Sequence, residues 1–64
     1  MLKGYIHVSE NEAVFADYVE VVEKKDIVQP YDEYIGYMEV DTDLYLVFKS
    51  VEGNYVAYKD YDIY

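Results

Sequence analysis

SENEAVFADYVEVVEKK, residues 9–25, decides how this chain folds. Two patterns compete in it. Ser9 followed by Glu12 has the spacing of a capping box, in which each side chain accepts a hydrogen bond from the other residue's backbone N–H. Glu10 and Glu12 sit where the dipole of a following helix favours negative charge. At about 100° per residue, Val21, Val14, Tyr18, Val22, Phe15 and Val19 fill a continuous arc of about 160°. Glu20, Glu23, Asp17 and Lys24 fall opposite. Glu20 and Lys24 make a correctly oriented i,i+4 pair. Against this, the valines and Tyr18 lower helix propensity, and Tyr18 to Val22 also reads as a strand. The cap and the wheel together predict an amphipathic helix over residues 10–25.

The flanks read as strands. Lys3 to Val8 (KGYIHV) carries Tyr and β-branched residues after a Gly. Asp26 to Pro30 is a connector with room for a short strand at Ile27 and Val28, and Pro30 cannot sit in a central strand. EYIGYMEV (33–40), LYLVFKSV (44–51) and YVAYKDYDIY (55–64) are rich in aromatic and β-branched residues. Asp41-Thr42-Asp43 and Glu52-Gly53-Asn54 separate them with hairpin-length loops. The expected architecture is α+β: one helix packed on an antiparallel sheet, in the order β-α-β-β-β with a C-terminal meander. No linker or repeat divides the chain, so residues 1–64 form a single domain.

Alternation assigns two faces to that sheet. Leu44, Leu46 and Phe48 make the most apolar row and are placed against the helix. Tyr34, Met38, Val40, Tyr55, Ala57, Tyr61 and Ile63 join them. The other face then carries Ile35, Tyr37 and Glu39, then Tyr45, Val47, Lys49 and Val51, and finally Tyr58, Asp60, Asp62 and Tyr64. Rings and aliphatics ringed by carboxylates are how a protein interface is built. The same rings also raise strand propensity, so both readings stand. The expected contact residues are Tyr37, Glu39, Tyr45, Val47, Tyr58, Asp60, Asp62 and Tyr64.

Composition narrows the function. The chain has 64 residues, fourteen acidic against five basic, and a net charge of −9. Phosphates and anionic lipid repel such a surface, which argues against direct nucleic-acid binding and membrane docking. The N-terminus lacks the apolar stretch of a signal peptide, and the expected location is the cytoplasm. Ten Tyr and no Cys mean that several rings lie on the surface and that no disulfide braces the fold. Dimerisation is the remaining common brace, and a homodimer is expected.

Catalysis finds no support. His7, the sole histidine, has no evident nucleophile or orienting carboxylate. Ser9, Thr42 and Ser50 are cap or turn-edge residues. Asp41-x-Asp43 and Asp60-x-Asp62 are carboxylate pairs, but the longer loop and closing Glu of a calcium site are missing. Gly4, Gly36 and Gly53 form no phosphate loop. No catalytic, metal or cofactor site is expected.

An acidic surface can occupy a basic groove by placing carboxylates where phosphates would lie. In size, charge and aromatic content the whole chain resembles the small acidic inhibitors encoded by phages. These include anti-CRISPR proteins, anti-restriction DNA mimics and inhibitors of uracil-DNA glycosylase. The acidic sets Glu10, Glu12, Asp17, Glu20, Glu23 and Asp41, Asp43, Asp60, Asp62, with the tyrosines, carry that resemblance, and no motif does. The resemblance implies a non-enzymatic inhibitor that binds a basic surface on a host defence or nucleic-acid-processing enzyme, in the host cytoplasm. The alternative is a small structural or assembly protein whose tyrosine-rich sheet face is an oligomer interface.

Overall fold

A computed structural model of the chain describes residues 1–27 and 32–60. Five strands occupy most of them: β1 (Leu2–His7), β2 (Ala13–Val21), β3 (Glu33–Val40), β4 (Asp43–Lys49) and β5 (Tyr55–Lys59). A 3-10 turn, Lys24–Asp26, follows β2. The strands close into a barrel in the order β1-β2-β5-β4-β3, with β3 returning to β1. All neighbours are antiparallel except β2 and β5.

The α+β expectation is therefore overturned at its deciding stretch: residues 13–21 form a strand. Two physical reasons account for this. Val14, Phe15, Tyr18, Val19 and Val21 are five of the nine residues in β2, and branched or aromatic side chains suit a pleated surface better than a helix. The Ser9–Glu12 spacing is also the spacing of the two ends of a β-turn. Here Glu12 N–H donates to the Ser9 carbonyl (3.5 Å), while Val8 and Ser9 N–H donate to the Glu12 carbonyl (3.1 and 3.3 Å). The segment is thus the tip of a β1–β2 hairpin. The anticipated strand at Ile27 is absent, since Ile27 ends the 3-10 turn by donating to the Lys24 carbonyl. Val28 lies outside the described residues.

The C-terminal strands pair as an antiparallel meander, but β4 stops at Lys49 and β5 at Lys59, short of the expected 51 and 64, and residues 61–64 lie outside the described ones. β3 and β4 join through Asp41 and Thr42, both at positive φ (51° and 70°), between the paired residues Val40 and Asp43. This is the geometry of a type I′ hairpin. β4 and β5 join through a turn in which Ser50 N–H donates to the Asn54 carbonyl (2.8 Å) and Gly53 N–H to the Ser50 carbonyl (2.9 Å). Asn54 N–H adds a bond to the Ser50 hydroxyl (3.3 Å), and Gly53 supplies the left-handed φ of 87°.

Closure depends on a close crossing of β1 and β3, which pair at His7↔Tyr37. A Cβ on Gly36 would lie 2.2 Å from the His7 carbonyl oxygen and 3.2 Å from Ile6 Cγ2. Only glycine lets the two backbones meet there.

The interior is small and aliphatic. Leu2, Ile6, Ala16, Val19, Met38, Val47 and Ala57 are buried together, with Ile35, Val40, Tyr45 and Tyr55 packed against them. This corrects the face assignment of β4. Val47 is fully buried and Tyr45 leans on the core, whereas Leu44, Leu46 and Phe48 point outward with the opposite parity. Both faces of β4 are apolar, so alternation alone cannot tell inside from outside. A narrow barrel accepts Val and Ala and turns the larger Phe48 out. The irregularity between Tyr34 and Gly36 likewise leaves Tyr34 exposed and Ile35 half-buried, the reverse of their expected placement.

Candidate functional site

The outer wall carries the aromatic residues. Of the seven described tyrosines, Tyr5, Tyr18, Tyr34 and Tyr37 are exposed, Tyr45, Tyr55 and Tyr58 are half-buried, and none is buried. Strand register aligns them. His7 faces Tyr37, Tyr37 faces Leu46 and Leu46 faces Tyr58, so one outward row crosses four strands. A second row runs from Tyr34 through Phe48 to Val56.

Ring contacts knit the rows together. His7 stacks on Tyr37 with centroids 4.9 Å apart and an interplanar angle of 24°. Tyr34 meets Phe48 edge-on at 5.4 Å, and Phe48 stacks on Tyr58 at 5.9 Å. Phe48 is buried beneath them, outside the barrel. Lys24 Nζ lies 5.9 Å from the Tyr58 centroid, within cation–π range. On the far side of β1, Tyr5 and Phe15 form a cross-strand edge-to-face pair at 5.4 Å.

Carboxylates surround this wall. Glu10, Glu12, Asp17, Glu20, Glu23, Asp26, Glu33, Glu39, Asp41 and Glu52 are all exposed, and no charged side chain is buried among the described residues. Of these, Glu23 is reached by Lys25 at 3.4 Å, and the half-buried Asp43 is bonded by Lys59 at 3.3 Å. The first pair is fully solvated and contributes little. A groove of about 720 Å³ opens where β2 meets β5, lined by charged residues, among them Glu20, Lys24 and Asp60, together with Val21, Tyr45 and Tyr58.

The structure splits the expected contact set. Tyr37 and Glu39 are exposed and share the outward side of β3, and Tyr58 belongs to the same row. Asp60 is half-buried at the groove, and its N–H donates to the Leu44 carbonyl (2.8 Å). Tyr45 lies with the core and lines the groove only in part. Val47 is wholly inside, so it cannot touch a partner. Asp62 and Tyr64 lie outside the described residues, as do Tyr61 and Ile63.

Tyr5, Phe15, Tyr18 and Tyr34 are surface residues that sequence reasoning misses. The helical arc puts Phe15 and Tyr18 on a buried face, and the strand reading of residues 18–22 holds the signal that releases them. His7 is an exposed ring stacked on Tyr37. Among the described residues no cluster of His, Asp and Glu could hold a metal ion, and no helix is long and apolar enough to cross a membrane.

Comparison with family models, curated proteins and solved structures finds no match for this chain.

Proposed function

We propose that this chain is a non-enzymatic binding protein that inhibits a host defence or nucleic-acid-processing enzyme by covering a basic surface on it. The observation that supports this reading is the placement of the rings: the interior is filled mainly by aliphatics with Tyr45 and Tyr55 packed against them, while Tyr5, Tyr18, Tyr34 and Tyr37 stand exposed on the outside. Tyrosine gives large contact area at low conformational cost, and desolvated aromatic anchors dominate interface energies. Tyr37 and Tyr34 are the anchors, with Tyr58 and Phe48 beneath them as a rigid floor. Glu33 and Glu39 flank the anchors on β3.

The charges act collectively. Ten exposed carboxylates and a net charge of −9 steer the chain onto a basic groove and displace a nucleic acid from it, without contacting nucleic acid or membrane directly. The test is capture from a bacterial lysate at low and moderate salt, using the whole chain and two double variants. A nuclease, helicase or glycosylase is expected to be retained at low salt and lost as salt rises. Glu33→Gln with Glu39→Gln should slow association, and Tyr34→Ala with Tyr37→Ala should speed dissociation. Retention of no such enzyme, or retention insensitive to salt and to both variants, would end this reading.

A further inference from the structure

We infer that the outer edge of β2, from Ala13 to Asp17, is a self-pairing edge, onto which a second copy of this chain adds its own β2 antiparallel with the two-fold axis at Phe15. The proposal stands independently of the acidic-surface reading.

β2 is long, and its neighbour on one side is short. The β2–β5 ladder consists of Glu20↔Val56 and Val21↔Ala57, extended by Val22 N–H donating to the Ala57 carbonyl (2.8 Å). From Ala13 to Tyr18 only β1 flanks β2 among the described residues. On its other side that segment pairs with no strand among the described residues, and such an edge is a template for pairing with another chain.

The hairpin fixes which groups point into the opening. Val8 N–H bonds the Glu12 carbonyl, so that pair is a hydrogen-bonded position. Antiparallel pairs alternate between bonded and non-bonded, which makes Ile6↔Val14 and Gly4↔Ala16 bonded positions as well. Val14 and Ala16 therefore direct their N–H and C=O at β1. Ala13 and Phe15 direct theirs at the open side, and these are the groups a new strand would meet.

The edge is complementary to itself. With the axis at Phe15, the two copies of Phe15 exchange both backbone bonds, Ala13 meets Asp17 and Val14 meets Ala16. Glu12 then meets Tyr18, and no carboxylate opposes another. Ala13 to Ala16 contains no charge, Pro or Gly, and the register shift of β2 against β1 falls beyond Ala16, so the middle of the edge is not blunted. The charge of Asp17 at its end meets the uncharged Ala13 of the other copy. On the outer face, Phe15 is 50% exposed and carries Tyr5 against it at 5.4 Å. Across the axis this becomes a four-ring ribbon, Tyr5 and Phe15 from one copy continued by Phe15 and Tyr5 from the other. The ribbon lies across β1 from the Tyr37 row, so both surfaces can be used at once.

Size and charge set how the dimer behaves. Fully covering an aromatic side chain removes about 150–250 Å². Half-exposed Phe15 and Tyr18 supply on the order of 200 Å² per copy by that measure, to which the strand backbone adds. That is well below the ~800 Å² per partner of a stable specific interface, so self-association is weak and concentration-dependent. Two copies at −9 each bring together −18, so screening favours the dimer. Salt therefore strengthens this contact, while it weakens binding to a basic partner, and the two proposals succeed or fail separately.

The test is sedimentation of the whole chain from about 10 micromolar to about 1 millimolar, at about 0.05 M and about 0.5 M salt. Dimer should form as concentration rises and should form more readily at the higher salt. Phe15→Lys, which puts a charge on the axis, should weaken association by about tenfold or more, while Tyr34→Lys should leave it unchanged. Amide exchange of the wild-type chain gives a readout that needs no variant. The Phe15 amide should exchange fast in dilute protein and slowly in concentrated protein, with the Val14 amide slow in both. A monomer throughout the range at both salts overturns the proposal. So does a dimer in which the Phe15 amide stays fast, or an edge that pairs only with a strand of a different protein.

Discussion

Replacing Gly36 by alanine tests the seam of the barrel. In an ordinary strand a Gly→Ala change stabilises by about 0.5–1 kcal/mol, because glycine loses more backbone freedom on folding. Here the sign is reversed. The new Cβ would stand 2.2 Å from the His7 carbonyl oxygen and 2.9 Å from the His7 carbonyl carbon, against 3.4 Å for an ordinary contact, so β1 and β3 must part by about 1.2 Å (3.4 − 2.2). Backbone atoms cannot give way as a flexible side chain can. Overpacking of this kind costs about 1–3 kcal/mol, and parting the strands weakens the hydrogen bonding at His7↔Tyr37, worth about 1 kcal/mol per bond. The sum is about 2–4 kcal/mol. A 64-residue chain has about 3–10 kcal/mol in total, so Gly36→Ala removes a large part of it. Urea unfolding followed by tyrosine fluorescence and far-UV circular dichroism measures this directly. The midpoint should fall, and the melting temperature should drop by about 10–30 °C. An unchanged or raised midpoint would refute the close crossing of β1 over Gly36, and with it the closed barrel.

Other changes test other parts. Thr42→Gly should stabilise by about 0.5–1 kcal/mol in thermal melts, because a β-branched residue at φ 70° carries a left-handed penalty of about 1–2 kcal/mol, part of which glycine returns as chain entropy. Val19→Asp should prevent folding, since Val19 is fully buried and an unpaired charge there has no partner; Val14→Asp should be mild at 43% exposure, a contrast read by circular dichroism. Ser9→Ala should change stability by less than about 0.5 kcal/mol in urea titrations, because the bonds around Ser9 are made by its backbone. Ile6→Ala should cost about 2–5 kcal/mol through the cavity left in the core, measured the same way.

The second half of the chain is legible in its sequence alone. The three C-terminal strands are anticipated in place and order because aromatic and β-branched runs broken by Asp-Thr and Glu-Gly-Asn leave no other pattern, although β4 ends at Lys49 and β5 at Lys59, short of the expected 51 and 64. Tyr37 and Glu39 are placed outward because β3 alternates cleanly from Gly36 to Val40. The first half misleads for a specific reason. Val14, Tyr18, Val19 and Val22 satisfy a helical arc, and Ser9 with Glu12 satisfies both a cap and a turn, so local pattern cannot choose. The choice is made by tertiary pairing, which ties β2 to β1 from Ala13 to Val19 and to β5 at Glu20 and Val21. Val47 and Tyr45 mislead for another reason: β4 is apolar on both faces, and only barrel closure decides which face is inside. The collective acidity is indifferent to these differences, because Glu10, Glu12, Asp17 and Glu20 on the hairpin and Glu23 just beyond it are exposed, as acidic residues on the outer side of a helix would be.

The closed barrel exists only if residues 13–21 are a strand with β1 beside it and β3 beyond, and the row from His7 to Tyr58 only if β1 meets β3. A nuclear Overhauser spectrum of the labelled chain tests this most directly. Cross-strand contacts are expected between Tyr5 and Phe15, between Ile6 and Val14, and between His7 and Tyr37. Contacts between residues three apart throughout 13–21, with no signal joining His7 to Tyr37, would contradict the barrel and the binding surface built on it.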